Sequence, residues 1–190
     1  RQADLAVDAD AAKEAMARTV VIKLNGGLGT SMGLEAAKSL LPVRDGATFL
    51  DLIARQVLAA RATYDARIPL VLMNSFRTQE DSLRALAAYP ELAVEGIPAD
   101  FLQNREPKLD AATLEPVVWE ADPSLEWCPP GHGDLYTALQ TSGMLTTLLE
   151  AGFRYASVSN ADNLGAVPDA EIAAWFAASG APYAAELVAK

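Results

Sequence analysis

The stretch Thr19-Val-Val-Ile-Lys-Leu-Asn25 reads as a buried strand, and it ends where Gly26-Gly-Leu-Gly-Thr-Ser-Met-Gly33 begins. A strand that runs straight into glycines leaves the chain few options. Gly26, Gly27, Gly29 and Gly33 carry no Cβ, so the backbone can turn sharply and bring its N–H groups against an anion or a flat base. Lys38 follows closely enough to set an ammonium over a phosphate held by that turn. Two commoner glycine motifs do not fit. A phosphate loop needs Gly immediately before Lys-Ser/Thr, whereas Ala37 precedes Lys38-Ser39. A dinucleotide fingerprint begun at Gly27 needs Gly or Ala at position 32, where Met32 stands.

The rest of the chain alternates between helix and strand patterns. Ala11 to Arg18 is alanine-rich and helical by propensity. Thr48, with Asp51 three residues on, opens a helix in which Phe49, Leu52, Ile53, Gln56, Val57 and Ala60 recur at helical spacing. Ile68-Pro-Leu-Val-Leu-Met-Asn74 is the nearly all-apolar run expected of a strand covered on both faces in a parallel sheet. An amphipathic helix is predicted over Arg77 to Tyr89 and a brief strand over Asp100 to Asn104. One long helix is predicted over Leu135 to Glu150, with Asp134 as its N-cap and Gly152 as its stop. A strand over Phe153 to Ser159, a helix over Asp169 to Ser179 and a last strand from Tyr183 complete the pattern. Such alternation predicts an α/β fold built on a doubly wound sheet. Between Arg105 and Gly133, prolines at 107, 116, 123, 129 and 130 mark a long excursion, and loops of that length in a compact domain usually serve function.

With 190 residues and 51% hydrophobic content, the chain can bury a substantial core. Its net charge of −10 argues against a nucleic-acid or anionic-membrane surface, so a phosphate ligand has to be met locally by backbone dipoles, a few lysines and a metal. Cys128 is the single cysteine and permits no internal disulfide; with no uncharged apolar run of membrane-spanning length, cytoplasm is the expected compartment. The chain starts without Met and stops at Lys190 directly after a strand pattern, as a piece of a longer polypeptide would.

In open parallel sheets, ligands bind at the carboxyl ends of the strands, near the place where strand order reverses. Four polar stretches are predicted at or near such ends: the glycine turn after Leu24, Met73-Asn74, Gln103-Asn104 and Asn160-Ala-Asp162. The Gly131-His-Gly133 loop, at the head of a helix, offers N–H groups suited to an anion or a carbonyl oxygen. Singly, each has an ordinary reading. Asp162 caps turns as readily as it binds metal. His132, the single histidine, serves equally as a hydrogen-bonded loop residue. Gln103 can satisfy loop backbone, Met73 can belong to the core, and Lys38 can be a solvated helix-surface lysine. Cys128, without an activating base nearby, reads as packing. Convergence of the five stretches in space would separate the two sets of readings.

Taken together, Lys23-Leu-Asn-Gly-Gly-Leu-Gly-Thr-Ser-Met-Gly33 with Lys38-Ser39, Met73-Asn-Ser-Phe76, Phe101-Leu-Gln103 with Pro107-Lys108, Pro130-Gly-His-Gly-Asp134 and Ser159-Asn-Ala-Asp-Asn-Leu-Gly-Ala166 occur in the order of a known family. The set resembles the eukaryotic-type UTP:glucose-1-phosphate uridylyltransferases, also called UDP-glucose pyrophosphorylases. The resemblance implies a Rossmann-like mixed, mostly parallel sheet of the nucleotide-diphospho-sugar transferase type. It implies a Mg²⁺-assisted reaction in which glucose 1-phosphate attacks the α-phosphate of UTP, giving UDP-glucose and pyrophosphate. Carried over residue by residue, the backbone around Leu24, Asn25, Gly26 and Gly27 would border the uridine, while Met73, Gln103 and Gly131 would recognise the uracil. Lys38 would neutralise UTP phosphates, His132 would meet the sugar phosphate, Asn160 a glucose hydroxyl and Asp162 the Mg²⁺. The residue types suit the chemistry, because in-line displacement at phosphorus needs two anions held together and developing charge stabilised, with no covalent nucleophile.

Members of that family are much longer and add a further lysine near the reacting phosphates and a C-terminal β-helix. Residues 19–190 are therefore expected to form an incomplete nucleotide-binding core after an N-terminal helical segment over 1–18, with little turnover alone. Relatives that make UDP-N-acetylhexosamines or a broad range of UDP-sugars usually carry an Arg inside the glycine turn, where this chain has Thr30-Ser-Met32. Outside the enzyme class, the alternative is a catalytically silent uridine-nucleotide-binding module.

Overall fold

Strand β1 (Thr19–Asn25) sits inside a four-stranded parallel sheet in the computed structural model, which describes residues 7–28 and 36–187. Helix α1 (Ala9–Ala17) precedes it, and a small antiparallel pair, β2 (Pro42–Arg44) and β3 (Ala47–Thr48), leads into helix α2 (Phe49–Tyr64). Strand β4 (Leu70–Asn74), helix α3 (Gln79–Leu86) and strand β5 (Asp100–Leu102) follow. The proline-rich excursion carries a second small ribbon, β6 (Glu106–Pro107) and β7 (Trp127–Cys128). Helices α4 (Leu135–Thr141) and α5 (Met144–Glu150), strand β8 (Tyr155–Asn160) and helix α6 (Ala170–Ser179) complete the order.

The sheet runs β5-β4-β1-β8, and every pairing in it is parallel. Because successive strand residues point to opposite faces, the apolar runs of β1 and β4 feed two separate cores. Val21, Leu70 and Leu72 pack with Met16 of α1, with Leu50, Ile53 and Val57 of α2 and with Ala170 of α6. Val20, Ile22, Val71 and Met73 pack with Phe101 of β5, Leu135 and Ala138 of α4, and Met144 and Leu148 of α5. Helices thus cover both faces of the sheet, as the alternating sequence pattern predicts.

The capping box read from Thr48 and Asp51 is formed: the Asp51 N–H donates to Thr48 Oγ1 at 3.1 Å, and the Thr48 N–H donates to Asp51 Oδ2 at 2.8 Å. Two sequence expectations are corrected. The single helix over Leu135 to Glu150 is two helices, because Gly143 adopts a left-handed backbone (φ 79°) between α4 and α5. The expected strand from Tyr183 does not form over the described residues to 187, where Tyr183 and Leu187 are exposed and find no sheet partner.

Candidate active site

Chain order along the sheet reverses between β1 and β8: successive strands step from β1 to β4 to β5, and the next strand of the sheet returns to the far side of β1. The crevice outside the carboxyl ends of β1 and β8 is therefore the topological switch point, where an open α/β sheet leaves room for a ligand. Leu24 pairs with Met73 on one side and Asn160 on the other, so all three reach this rim at the same level.

The glycine turn leaves β1 here. Gly29, Gly33 and Thr30-Ser-Met32 lie outside the described residues. The turn's two limbs close on each other where Leu28 bridges Ala37, and the Lys38 N–H donates to the Gly27 carbonyl at 3.1 Å. A Cβ on Gly27 would lie 3.9 Å from Lys38 Cδ, so the lysine stem packs along the turn. Among the described residues no ion pair engages the Lys38 ammonium.

Gln103 crosses the rim onto the same turn. A Cβ on Gly26 would stand 2.4 Å from Gln103 Oε1 and 2.8 Å from Nε2, so only glycine allows this approach. Gln103 Nε2 is buried without a hydrogen-bond partner among the described residues. Buried amide groups of that kind are uncommon and call for an account.

A polar network beneath the turn holds the strand ends in place. Asn25 Nδ2 donates to Asn74 Oδ1 and to Ser82 Oγ, each at 2.7 Å; Asn74 Nδ2 and Gln79 Nε2 both donate to Asp100 Oδ2, at 3.0 and 2.9 Å. Asn25 and Asn74 are buried, so their side chains fix the rim and only their backbone faces outward partners. Met73 is likewise buried, at 1% exposure, in the core with Val71 and Phe101.

The His132 loop is tied to the Gln103 loop by one carboxylate. Asp134 Oδ2 and Oδ1 accept from the backbone N–H and the side-chain amide of Asn104, each at 2.6 Å. Asp134 therefore does not cap α4 through its side chain as the sequence suggests; it spans two loops instead. Gly131, at φ 109°, makes the turn that presents exposed His132 beside this clamp. If the rim takes UTP, as the resemblance implies, Asp134→Ala is expected to weaken its binding about three- to tenfold, the range for losing exposed charge-assisted bonds. In calorimetric titrations its effect should not add to that of Asn104→Ala.

On the other side of β1, Ala161 N–H donates to the Leu24 carbonyl at 3.1 Å, which seats the Asn160-Ala-Asp162 turn against the root of the glycine turn. Asn160 and Asp162 are exposed. Among the described residues no group of three or more His, Cys, Asp or Glu side chains converges on a metal position. Directly beneath this turn, burial lowers the Lys23 ammonium from its ordinary value to about 8. It donates to Ser159 Oγ at 2.7 Å and to the Ala166 carbonyl at 2.9 Å.

All five stretches singled out in the sequence thus border one rim: Gln103 touches Gly26, Lys38 lies along Gly27, Leu24 holds the Asn160–Asp162 turn, Met73 lies buried under it, and Gly131-His132 is tethered through Asp134. No local pattern assigns a role to the Lys23 ammonium, ties Asn104 to Asp134 or joins the side chains of Asn25, Asn74 and Asp100. A lysine inside an otherwise apolar strand was the available signal for the first.

A family model described as UTP–glucose-1-phosphate uridylyltransferase matches residues 1–190. The chain belongs to this uridylyltransferase family. It is 44% identical over 174 residues to a probable UTP–glucose-1-phosphate uridylyltransferase of Schizosaccharomyces pombe, covering 91% of this chain and 34% of the relative. It is 41% identical over 171 residues to the Solanum tuberosum enzyme, covering 90% and 35%. UDP-glucose pyrophosphorylase from Leishmania major superposes with a TM-score of 0.82 at 45% identity, over 93% of this chain and 36% of that one. A point variant of the Leishmania enzyme, in complex with UDP-glucose, superposes with a TM-score of 0.83 at 45% identity, over 93% and 37%. The chain therefore spans about a third of the length of the uridylyltransferases it matches. No helix among the described residues is long and apolar enough to cross a membrane.

Proposed function

We propose that this chain supplies the nucleotide-binding core of a UTP:glucose-1-phosphate uridylyltransferase, which makes UDP-glucose and pyrophosphate from UTP and glucose 1-phosphate. The observation that carries this reading is the Gln103 amide, buried against Gly26 with Nε2 unpartnered. A glutamine amide donates and accepts side by side, which matches the N–H and carbonyl edge of uracil. The Leu24–Gly27 backbone borders the uridine in this reading, Met73 forms the floor beneath it, and Gly131 adds a backbone contact to the base. Family membership and the likeness to a neighbour that binds UDP-glucose support the same ligand.

Lys38 holds UTP phosphates against the turn, His132 meets the sugar phosphate and Asn160 a glucose hydroxyl. These residues bring two anions together in line and offset their repulsion, which is most of what phosphoryl-type displacement asks of a protein. Asp162 fits Mg²⁺, an ion commonly held by one or two carboxylates with phosphate oxygens and water as its other ligands; a closed cage of protein ligands is absent among the described residues. When bound, the ion supplies charge stabilisation at the phosphates. In this reading the residues after α1 form the core of this site, and the remainder of a longer protein completes it.

Two measurements test this. In calorimetry the 190-residue chain should bind UTP, and failure to bind would remove the functional reading. In a coupled pyrophosphate-release assay the same chain should turn over at least about a hundredfold more slowly than the full-length protein, the scale of loss when positioning is incomplete. Full-length rates from residues 1–190 alone would show the core to be self-sufficient.

A further inference from the structure

Lys23 lies in the middle of β1 at 1% exposure, and none of the roles assigned above uses its ammonium. No carboxylate pairs with it among the described residues. A hydrophobic side chain of similar volume would fill the position without desolvating a charge, so packing alone does not account for an ammonium here. Its two bonds fall on either side of one turn. Ser159 is its register partner on β8, directly before Asn160, and Ala166 lies past Asp162 on the returning limb. One side chain therefore closes the loop from Ser159 to Ala166 and fastens it to the strand that carries the glycine turn, across the point where chain order reverses.

The same loop has other anchors: the Ala161 N–H on the Leu24 carbonyl seats its near limb, and Ala161 itself packs in the core. Gln56 Nε2 donates to the Leu164 carbonyl at 3.0 Å, and inside the loop the N–H groups of Asn163 and Gly165 donate to the Asn160 carbonyl and Asn163 Oδ1, each at 3.1 Å. These last bonds shape the loop or hold its far limb. Among the described residues Lys23 alone, through a side chain, grips both limbs at once.

We propose that Lys23 is a positioning residue for the sugar-phosphate and metal side of the site, holding Asn160 and Asp162 in register with the glycine turn. This rests on the assignment of those two residues made above. Lys23 acts through the loop and touches no reactant.

The test uses the full-length protein with Lys23→Met, which keeps the stem and removes the donors, and Ser159→Ala, which removes one acceptor. In Lys23→Met the KM for glucose 1-phosphate and the Mg²⁺ concentration for half-maximal rate should each rise about ten- to a hundredfold, as when a supporting hydrogen-bond partner of a metal ligand is lost. The UTP dissociation constant measured without Mg²⁺ should stay within about twofold, because Gln103 and Gly26 keep their contact. Hydrogen exchange should quicken at the amides of Ala161, Asn163 and Gly165 and stay unchanged in β4 and β5. Ser159→Ala should shift the same quantities in the same direction by less, and it decides the matter if Lys23→Met does not fold. Unchanged KM and exchange, or an equal loss of UTP and glucose 1-phosphate binding, would overturn the proposal. Asp162→Asn run in parallel separates the two levels. If it leaves Mg²⁺ dependence unaltered, the assignment of Asp162 fails; if it alters that dependence and Lys23→Met does not, only the role of Lys23 fails.

Discussion

Asp162→Asn is expected to slow the proposed formation of UDP-glucose in the full-length protein about a thousandfold, the equivalent of about 4 kcal/mol of lost charge stabilisation at the reacting phosphates. An amide keeps the shape of the side chain but brings no negative charge to a divalent cation. The fold should not register the change: Asp162 is exposed, and no hydrogen bond or ion pair engages its carboxylate among the described residues. Melting temperature should therefore hold within a few degrees, the range for surface substitutions of no structural consequence. UTP affinity without Mg²⁺ should hold as well. Steady-state rates across a Mg²⁺ series check the expectation, and a full rate at unaltered Mg²⁺ dependence would remove Asp162 from the chemistry.

The second large effect is expected from a single methyl group. Gly26→Ala places a Cβ where Gln103 Oε1 and Nε2 now lie, at 2.4 and 2.8 Å from its ideal position. The groups that must give way are the far end of a flexible side chain, and Gly26 does not adopt the left-handed backbone that alanine resists. The fold should accept the substitution, and the Gln103 amide should leave the turn. In the proposed reading, losing that paired donor and acceptor removes about 1–3 kcal/mol, a roughly five- to 150-fold weaker UTP binding. Discrimination between UTP and CTP should fall with it, since the amide is there proposed to meet the edge on which the two bases differ. Calorimetry with both nucleotides decides this, and unchanged UTP affinity in a folded variant would deny Gln103 its role at the base.

Much of this site was legible in the sequence because strand ends and glycines carry their own physics. Ile68–Asn74, nearly all apolar, carries the pattern of a strand covered on both faces and forms one over Leu70–Asn74, and Thr48 with Asp51 fixed the start of α2 through a local capping box. What was not legible depends on partners distant in the chain. Asp134 heads α4 as a helix cap should, yet its carboxylate is taken by Asn104, thirty positions back, and no local pattern announces that choice. Asn25 belongs by position to the glycine turn, but its side chain turns inward to Asn74 and Ser82. Left-handed Gly143 breaks a helix whose apolar positions continue on both sides, and Met144 and Leu148 of α5 join the core that also holds Phe153. Lys23 looked like one polar residue in a strand until β8 and its loop closed over it.

Segments far apart in sequence are proposed to form one uridine-nucleotide cleft at the sheet's switch point. Hydrogen exchange of the full-length protein, measured with and without UTP and Mg²⁺, tests it most directly. Joint protection is expected of the backbone around Leu24–Leu28, Phe101–Asn104, Gly131–Asp134 and Asn160–Asn163. Protection at one of these segments alone, or at the apolar cavity lined by Leu83, Leu86, Tyr89 and Ile97 instead, would contradict it.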